Sequence, residues 1–316
     1  MNIVIMEPLG ISEALLQQQL EPLRSAGHTV MVYSDRPSSV EESIRRSKDA
    51  EILILTNSPF PAQAVDACPH LRYLDVAFTG IDHIAVEKCR ERNILISNAS
   101  GYSDQAVAEL AIGMMLSLLR RMPDCDKAVR GGEGSKGLTG RELCGRTVGI
   151  IGLGRIGQRV ARLCQAFDAR VIASDPVPSG TALALGIPYL PLEELLCTAD
   201  IVTLHAPSTP ATAGMIGAQQ LALMRPDALF INCARGALVD QQALRDALNE
   251  GRIAGAAADV FPQEPPLPAD APMLHAGNTI LTPHIAFATE ESMLRRAKIV
   301  FENLDAYLSG TPVRLC

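Results

Sequence analysis

Short apolar runs alternate along the chain with amphipathic stretches, and this alternation predicts its secondary structure. In the first hundred residues, five apolar runs of strand length are separated by helical patterns such as residues 11–26 and 86–92. The predicted strands cover residues 3–6, 30–33, 52–55, 74–77 and 94–97. Strands that alternate with helices favour right-handed crossovers, and they therefore predict a mainly parallel sheet.

A second alternation of the same kind begins at residue 147. Its predicted strands cover residues 148–151, 170–174, 201–204, 228–231, 253–257 and 279–281. Before it, a long helical pattern over residues 103–122 begins at a cap formed by Ser103 or Asp104 and is expected to end before Pro123. The glycine-dense segment 131–137 predicts a loop. A last helix is predicted over residues 288–308.

The two alternations predict an α/β fold of two Rossmann-like or flavodoxin-like parallel-sheet domains. The turn-rich sequence Asn98-Ala99-Ser100-Gly101 marks one candidate boundary. A second crossing near Pro283 would return the last helix to the first domain. We therefore expect residues 1–98 and 285–316 to form one domain, and residues 99–284 to form the other.

Composition narrows the classes of function. The chain has 316 residues, which suggests about two domains of ~150 residues. Its formal net charge of −7 argues against nucleic acid or an anionic membrane as the main partner, because both attract basic surfaces. The longest apolar stretch, residues 110–119, is about half a membrane span, and the N-terminus does not resemble a signal peptide. We expect a soluble, cytoplasmic protein.

Cysteine and histidine spacing predicts no metal site. None of the eight cysteines forms a C-x-x-C pair, and the six histidines show no H-x-H or H-E-x-x-H spacing. Most of the cysteines lie in apolar sequence, as reduced core cysteines do.

A glycine-rich sequence, Gly152-Leu153-Gly154-Arg155-Ile156-Gly157, follows a predicted strand and opens a predicted helix. In that context the G-x-G-x-x-G spacing predicts a dinucleotide site, since glycines permit a tight turn and a close approach of backbone to pyrophosphate. Asp175 ends the next strand, where a carboxylate binds ribose hydroxyls and repels a 2′-phosphate. No Arg or Lys occurs in residues 176–180, so NAD is favoured over NADP. The alternative is a structural turn beside an exposed Asp175.

Three later strands lead into loops that carry an ionisable side chain: Arg235, Glu264 and His284. Ligands of open α/β sheets bind outside the carboxyl ends of the strands, so these groups can converge. A histidine can protonate a carbonyl oxygen, a carboxylate can fix its tautomer and stabilise imidazolium, and a guanidinium can bind a carboxylate through paired hydrogen bonds. The alternatives are a surface Arg–Glu ion pair and a structural histidine.

Several segments together resemble the D-isomer-specific 2-hydroxyacid dehydrogenases. They are residues 152–157, His205-Ala206-Pro207, residues 232–240, 259–265 and Pro283-His284-Ile285, with Thr79-Gly80-Ile81-Asp82 in the first domain. The resemblance implies that the chain ends form a substrate-binding domain and the middle a cofactor domain, with the active-site cleft between them. It implies hydride transfer between NADH and C2 of a small 2-oxo or 2-hydroxy acid, and a homodimer paired through the cofactor domains.

The resemblance also implies roles for particular residues. Arg235 would bind the substrate carboxylate, Glu264 would orient the histidine, and His284 would be the acid/base. Cofactor contacts are implied for Gly152, Gly154, Arg155, Ile156, Gly157, Asp175, Ala206, Pro207, Cys233, Ala234, Asp259 and His284. Substrate contacts are implied for Phe78, Thr79, Gly80, Ile81 and Arg235. Cys233 is expected to be a packing residue, since no base is placed to activate its thiol.

The chain departs from the family pattern in three places. Phe78 stands where many relatives carry a small residue, and Ala286-Phe287 replaces the more usual Gly-Ser or Gly-Ala. Either aromatic ring could narrow the substrate pocket or pack away from it. Thr56-Asn57-Ser58 lacks the basic residues of phosphoglycerate-type relatives, so a phosphorylated substrate is disfavoured. Glu264 disfavours the formate-oxidising relatives, which are expected to carry Gln there.

One alternative belongs to another class of protein, the NAD(H)-sensing corepressors that resemble this family. They keep the same Arg, Glu and His, but they usually carry additional tails for partners.

Overall fold

A computed structural model describes residues 1–177 and 180–316. The described chain divides into two compact α/β units. Unit 1 comprises Met1–Ser103 and Ala288–Cys316, and unit 2 comprises Asp104–Phe287. The boundaries predicted from the sequence differ from these by five residues (98 against 103) and by three (284 against 287).

The eleven predicted strands are all present in the described residues, and each lies within two residues of its predicted bounds. They are β1 (Asn2–Ile5), β2 (Thr29–Val32), β3 (Ile52–Leu55), β4 (Tyr73–Val76), β5 (Leu95–Asn98), β6 (Thr147–Ile151), β7 (Arg170–Ser174), β8 (Ile201–Leu204), β9 (Leu229–Asn232), β10 (Gly255–Ala258) and β11 (Thr279–Leu281). Most are buried along their whole length, as expected for apolar runs in parallel sheets.

The described residues form twelve α-helices. They are α1 (Glu13–Ser25), α2 (Val40–Ser47), α3 (Ala62–Asp66), α4 (Val86–Glu91), α5 (Asp104–Leu119), α6 (Met122–Arg130), α7 (Arg155–Ala166), α8 (Gly180–Leu183), α9 (Leu192–Thr198), α10 (Ala218–Leu223), α11 (Gln241–Asn249) and α12 (Glu290–Leu308). No helix among the described residues is long and apolar enough to cross a membrane.

The prediction for residues 103–122 was wrong at its end. Helix α5 stops at Leu119, and Arg121 has a left-handed backbone with φ of 52° that breaks the helix. Pro123 then lies in the first turn of α6. Proline fits there because its fixed φ suits a helix and because an N–H in the first turn would have no partner within the helix. The proline therefore helps to begin a second helix.

The sheet of unit 1 is entirely parallel, with strand order β2-β1-β3-β4-β5. This is the flavodoxin-like order, in which successive crossovers reverse direction beside β1. The C-terminal residues return to the free edge of this sheet, where Leu315 pairs antiparallel with Ser97.

The sheet of unit 2 is also parallel, with order β11-β10-β9-β8-β6-β7. A further bridge between Ala173 and Tyr189 extends it beyond β7. If the bridge is counted as a strand position beside β7, the strand order follows the Rossmann pattern. In that pattern the sheet grows outward in one direction from β6 to β7 and the bridge, and in the other direction from β8 onward. Helix α5 covers one face of the sheet with Met114 and Met115, while Leu221 and Leu244 pack against the other. Buried on both faces, the sheet presents its carboxyl edge as the rigid base of a site.

Candidate active site

The glycine-rich turn after β6 requires glycine at two positions. Gly152 has a φ of 89°, and a Cβ there would lie 2.7 Å from the Ala206 nitrogen. A Cβ on Gly157 would lie 2.2 Å from the Gly152 carbonyl oxygen. The turn therefore packs directly against the loop after β8, while α7 packs against the turn. Gly154 precedes the first residue of α7 and leaves the N-terminus of the helix open to an anion.

Asp175 follows β7, and its carboxylate reaches back to the glycine turn. Its Oδ2 accepts a hydrogen bond from the Leu153 N–H at 2.9 Å, and its Oδ1 accepts one from the Val177 N–H at 3.1 Å. The carboxylate is thus fixed at the edge of the turn, where a ribose would meet it. Of the neighbouring residues 176–180, Pro178 and Ser179 lie outside the described part of the chain.

Arg155 and Ile156 open helix α7 in different environments. The Arg155 Nε donates to the Asp104 Oδ2 at 2.8 Å, and the Asp104 side chain is buried. Ile156 is partly buried against the core beneath α5. The ion pair joins the first turn of α5 to the first turn of α7, and the sequence analysis did not predict it.

Arg235 lies in a short loop after β9, and hydrogen bonds among the residues of this loop hold it closed. The buried Asn232 side chain accepts a hydrogen bond from the Ala234 N–H at 3.0 Å and donates one to the Arg235 carbonyl at 3.1 Å. The Arg235 guanidinium donates to the Ala234 carbonyl at 2.9 Å. Sequence reasoning missed Asn232, although its place at the end of a buried strand was a signal for a loop-closing side chain.

Gly236 places the Arg235 loop directly against the segment that leads to Glu264. A Cβ on Gly236 would lie 1.9 Å from the Phe261 carbonyl carbon and 2.3 Å from the Pro262 nitrogen. Only a glycine permits this contact, since real Cβ atoms do not approach backbone so closely. The two loops therefore have a fixed separation.

Glu264 and His284 form the predicted pair. The distance from Glu264 Oε1 to His284 Nδ1 is 3.0 Å, with the histidine side chain 15% exposed and the glutamate 42% exposed. An Nδ1–H that donates to the carboxylate leaves Nε2 as the nitrogen for proton exchange. The arrangement combines an imidazole with a carboxylate that orients it.

A buried carboxylate, Asp259, holds the turn that carries His284. It accepts hydrogen bonds from Thr282 Oγ1 at 2.5 Å, from the Ile285 N–H at 2.9 Å and from the Ala286 N–H at 2.8 Å. Burial raises the pKa of Asp259, against the lowering effect of these bonds. His284 has an unfavourable φ of 54°, so the surrounding bonds must maintain the turn.

Phe287, whose role the sequence left open, contacts the histidine. Its ring is 5.6 Å from the His284 ring, at 85° in an edge-to-face arrangement. This geometry is favourable for aromatic pairs and further restricts the orientation of the imidazole.

The other predicted cofactor residues lie at the ends of β8 and β9. Ala206 packs against the core, and the Pro207 carbonyl accepts a hydrogen bond from Thr212 Oγ1 at 2.7 Å. Cys233 is buried against Met114, and burial raises the pKa of its thiol, so it packs as predicted. The neighbouring His205 shares a 2.9 Å hydrogen bond with Thr203 Oγ1, and burial lowers its pKa to about 4. His205 is therefore neutral near pH 7.

The predicted substrate residues of unit 1 follow β4. Phe78 is only 4% exposed, and its ring packs 6.0 Å from that of Tyr102. The Thr79 carbonyl accepts a hydrogen bond from Asn98 Nδ2 at 2.8 Å, whereas Gly80 and Ile81 are partly exposed. The described contacts of Phe78 are those of a packing residue, and its predicted contact with substrate stays a prediction.

No group of three His, Cys, Asp or Glu residues that could hold a metal ion occurs in the part of the chain that the structure describes. The arrangement is suited to proton and hydride chemistry: a glycine turn at a helix N-terminus, an oriented imidazole and a guanidinium at one edge of a sheet.

Two kinds of curated enzyme are similar to this chain. The chain is 40% identical over 274 residues to the D-3-phosphoglycerate dehydrogenase of Methanocaldococcus jannaschii, covering 85% of this chain and 52% of that protein. It is 39% identical over 283 residues to the glyoxylate reductase of Korarchaeum cryptofilum, covering 87% and 85%. The chain thus spans about half the length of the phosphoglycerate dehydrogenases that it matches.

Solved structures and a family model give the same result. The D-lactate dehydrogenase from Aquifex aeolicus, complexed with NAD and lactic acid, superposes with a TM-score of 0.86 at 27% identity, covering 98% of this chain and 96% of that one. Residues 112–286 match the family model described as "D-isomer specific 2-hydroxyacid dehydrogenase, NAD binding domain". The chain therefore belongs to the D-isomer specific 2-hydroxyacid dehydrogenase family, and residues 112–286 form its NAD-binding domain.

Proposed function

We propose that this protein is an NAD-dependent dehydrogenase that transfers a hydride between nicotinamide and C2 of a small 2-oxo or 2-hydroxy acid. The observation that carries the proposal is the 3.0 Å contact between Glu264 Oε1 and His284 Nδ1. It lies at the same edge of the unit 2 sheet as the glycine turn. Reduction of a ketone needs a proton donor there, and a carboxylate-paired imidazole supplies one near neutral pH.

Each residue has a separate role in the proposed reaction. Bound NADH supplies the hydride. His284 donates a proton from Nε2 to the carbonyl oxygen in reduction and accepts it in oxidation. Glu264 orients the imidazole and stabilises its cation, and Arg235 binds the substrate carboxylate through paired hydrogen bonds. The glycine turn fits the pyrophosphate because its glycines leave the N-terminus of α7 accessible.

The substrate is proposed to be unphosphorylated, in contrast to that of the phosphoglycerate dehydrogenases. The loop after β3, Thr56-Asn57-Ser58, has no basic side chain. Its donors are bonded to the buried carboxylate of Glu7, which accepts from the Thr56 N–H, the Ser58 N–H and the Ser58 hydroxyl. The loop therefore offers a phosphate neither a basic side chain nor these three donors, which Glu7 already occupies.

A rate panel tests the proposed reaction. Initial rates with NADH would be measured against glyoxylate, hydroxypyruvate, pyruvate, phenylpyruvate, 2-oxoisocaproate and 3-phosphohydroxypyruvate. We expect turnover of at least one unphosphorylated acid and much slower turnover of the phosphorylated one. Tight NADH binding without any turnover would contradict the proposal and favour a regulatory NAD(H) sensor.

Variants of Arg235 and Asp175 test the roles proposed for these two residues. Arg235→Ala is expected to lose roughly 10²-fold in kcat/KM, or ~3 kcal/mol of transition-state binding, and Arg235→Lys to stay impaired because lysine lacks the planar fork. Near-normal turnover by Arg235→Ala would place the substrate carboxylate elsewhere.

NADH should be preferred over NADPH, and Asp175→Ala should weaken that preference.

A homodimer paired through the NAD-binding units and a cytoplasmic location are further parts of the proposal. Helix α5 supports the dimer, because Gly113 is exposed and a Cβ there would meet no atom within 4 Å. A second chain can approach such a surface closely. Light scattering at micromolar concentration measures the mass directly.

A further inference from the structure

Asn232 connects the end of a rigid strand to the loop that carries Arg235. Its backbone belongs to the sheet, where its carbonyl accepts a hydrogen bond from the Asp259 N–H at 3.0 Å. The residue is 3% exposed, and its side chain bonds two positions of the loop, the Ala234 N–H and the Arg235 carbonyl. One carboxamide therefore determines the path of the backbone from β9 to Arg235.

The other end of this loop is fixed by packing. Arg235 is extended, with φ of −144° and ψ of 142°, and it is followed by Gly236, whose α-carbon lies against the Phe261–Pro262 peptide. Asn232 thus holds the loop before Arg235, and Gly236 holds it after. Between two fixed points, the origin of the guanidinium side chain has little freedom.

We propose that Asn232 is a positioning residue, whose carboxamide holds Arg235 in the orientation that binds the substrate carboxylate. This inference rests on the proposed function, since it concerns the residue assigned to that carboxylate. Loss of the carboxamide would release the Ala234 N–H and the Arg235 carbonyl, and the guanidinium would then sample several positions. Displacement of a binding group by ~1 Å can reduce catalysis by about 10²-fold, so the effect is measurable.

The test compares Asn232→Ala with native protein by steady-state kinetics on the fastest acid of the panel. We expect kcat/KM to fall by about 10-fold to 100-fold. Most of the loss should be in KM for the acid, with the Kd of NADH changed by less than about twofold, because the glycine turn is on another strand. Asn232→Asp keeps the acceptor for the Ala234 N–H and loses the donor to Arg235. Because its second oxygen then faces the Arg235 carbonyl oxygen and repels it, this variant is expected to show the same change, and it serves if Asn232→Ala does not fold.

A double-mutant cycle separates positioning from general damage to the fold. If Asn232 acts through Arg235, either Asn232 substitution should have almost no further effect on kcat/KM in the Arg235→Ala background. An undiminished loss in that background would overturn the inference. Failure of the proposed function would instead appear as an absence of turnover by native protein with every acid of the rate panel, so the two failures are distinguishable.

Asn249, an exposed residue with the same kind of paired bonds, provides a control in the same unit. Its carboxamide also bridges a loop, donating to the His275 carbonyl at 3.2 Å and accepting from the Gly277 N–H at 2.9 Å. Asn249→Ala should lower the melting temperature while kcat/KM stays within about twofold of native, because no residue assigned to the reaction lies in that loop. Asn232→Ala with kinetics like those of Asn249→Ala would reduce Asn232 to a structural role.

Discussion

Units 1 and 2 each use a buried carboxylate at the carboxyl end of a parallel strand to hold the loop of the adjacent strand. In unit 1, Glu7 follows β1 and binds the loop after β3 through Thr56 and Ser58. In unit 2, Asp259 follows β10 and binds the loop after β11 through Thr282, Ile285 and Ala286. The two arrangements are alike, but only the second holds an ionisable side chain.

The two carboxylates also differ in the direction in which their pKa is shifted. Burial raises the pKa of each, and the hydrogen bonds lower it. For Glu7 the bonds from Thr56 and Ser58 outweigh burial, so its pKa is lowered, whereas for Asp259 burial prevails and its pKa is raised. Glu7 also has an ion pair with Arg36 at 3.2 Å. The comparison teaches that similar loop anchors can serve stability in one unit and orient the group proposed to react in the other.

The strongest test of this contrast removes the reacting group. His284→Ala should lose about 10²-fold to 10⁴-fold in kcat at every pH, with NADH still bound, because the proton donor is gone while the glycine turn is intact. Glu264→Gln keeps the hydrogen-bonding shape but loses the charge that stabilises imidazolium. The limb of the reduction rate that falls at high pH should therefore shift to lower pH.

Kinetics and NADH affinity across pH 5–10 for the three proteins provide the measurement. Opposite pH limbs for reduction and oxidation are expected, since the two directions need the charged and the neutral imidazole. A fully active His284→Ala would overturn its catalytic role. An unshifted limb in Glu264→Gln would remove Glu264 from the pair.

The two carboxylates themselves give the next largest effect. Asp259→Asn should lower kcat by about tenfold or more, because its amide group cannot accept all three bonds and the His284 turn would shift. Glu7→Gln is the matched variant in unit 1. It should cost roughly 1–3 kcal/mol of stability through unsatisfied donors, with kcat within about threefold of native. Equal effects of the two substitutions on kcat would break the contrast between the units.

Local signals explain what could be predicted from the sequence. The strands depend on the periodicity of apolar residues, and the glycine turn depends on backbone freedom at a few adjacent positions. A stretch of about ten residues therefore contains the whole pattern that predicts each of them. Arg235, Glu264 and His284 were placed because parallel strands bring their carboxyl ends to one edge. The bonds of Asp259 to Ile285 and of Glu7 to Thr56 span 26 and 49 residues. No local pattern encodes such pairs, because they depend on the exact register of the folded sheet.

The smallest expected effect on kcat concerns Asp75, a third buried carboxyl group, which lies within β4 of unit 1. Asn303 Nδ2 donates to its Oδ1 at 3.0 Å, while Oδ2 has no hydrogen-bond partner among the described residues. Burial raises the pKa of Asp75 to about 8, against the effects of Asn303 and Arg314. Tyr73 and Cys316 are the other titratable groups that interact with it.

The sign of the resulting pH dependence follows from proton binding. An unfolded chain loses the Asp75 proton near pH 3.9, whereas the folded protein keeps it up to about pH 8. Between these values the folded state binds more protons, so rising pH destabilises it by at most ~1.4 kcal/mol per unit. Asp75→Asn removes this term and keeps an acceptor for Asn303. We expect its urea midpoint, relative to that of native protein, to rise from pH 5 to pH 8. Parallel profiles would show that Asp75 is ionised in the fold at pH 5 and that burial does not raise its pKa.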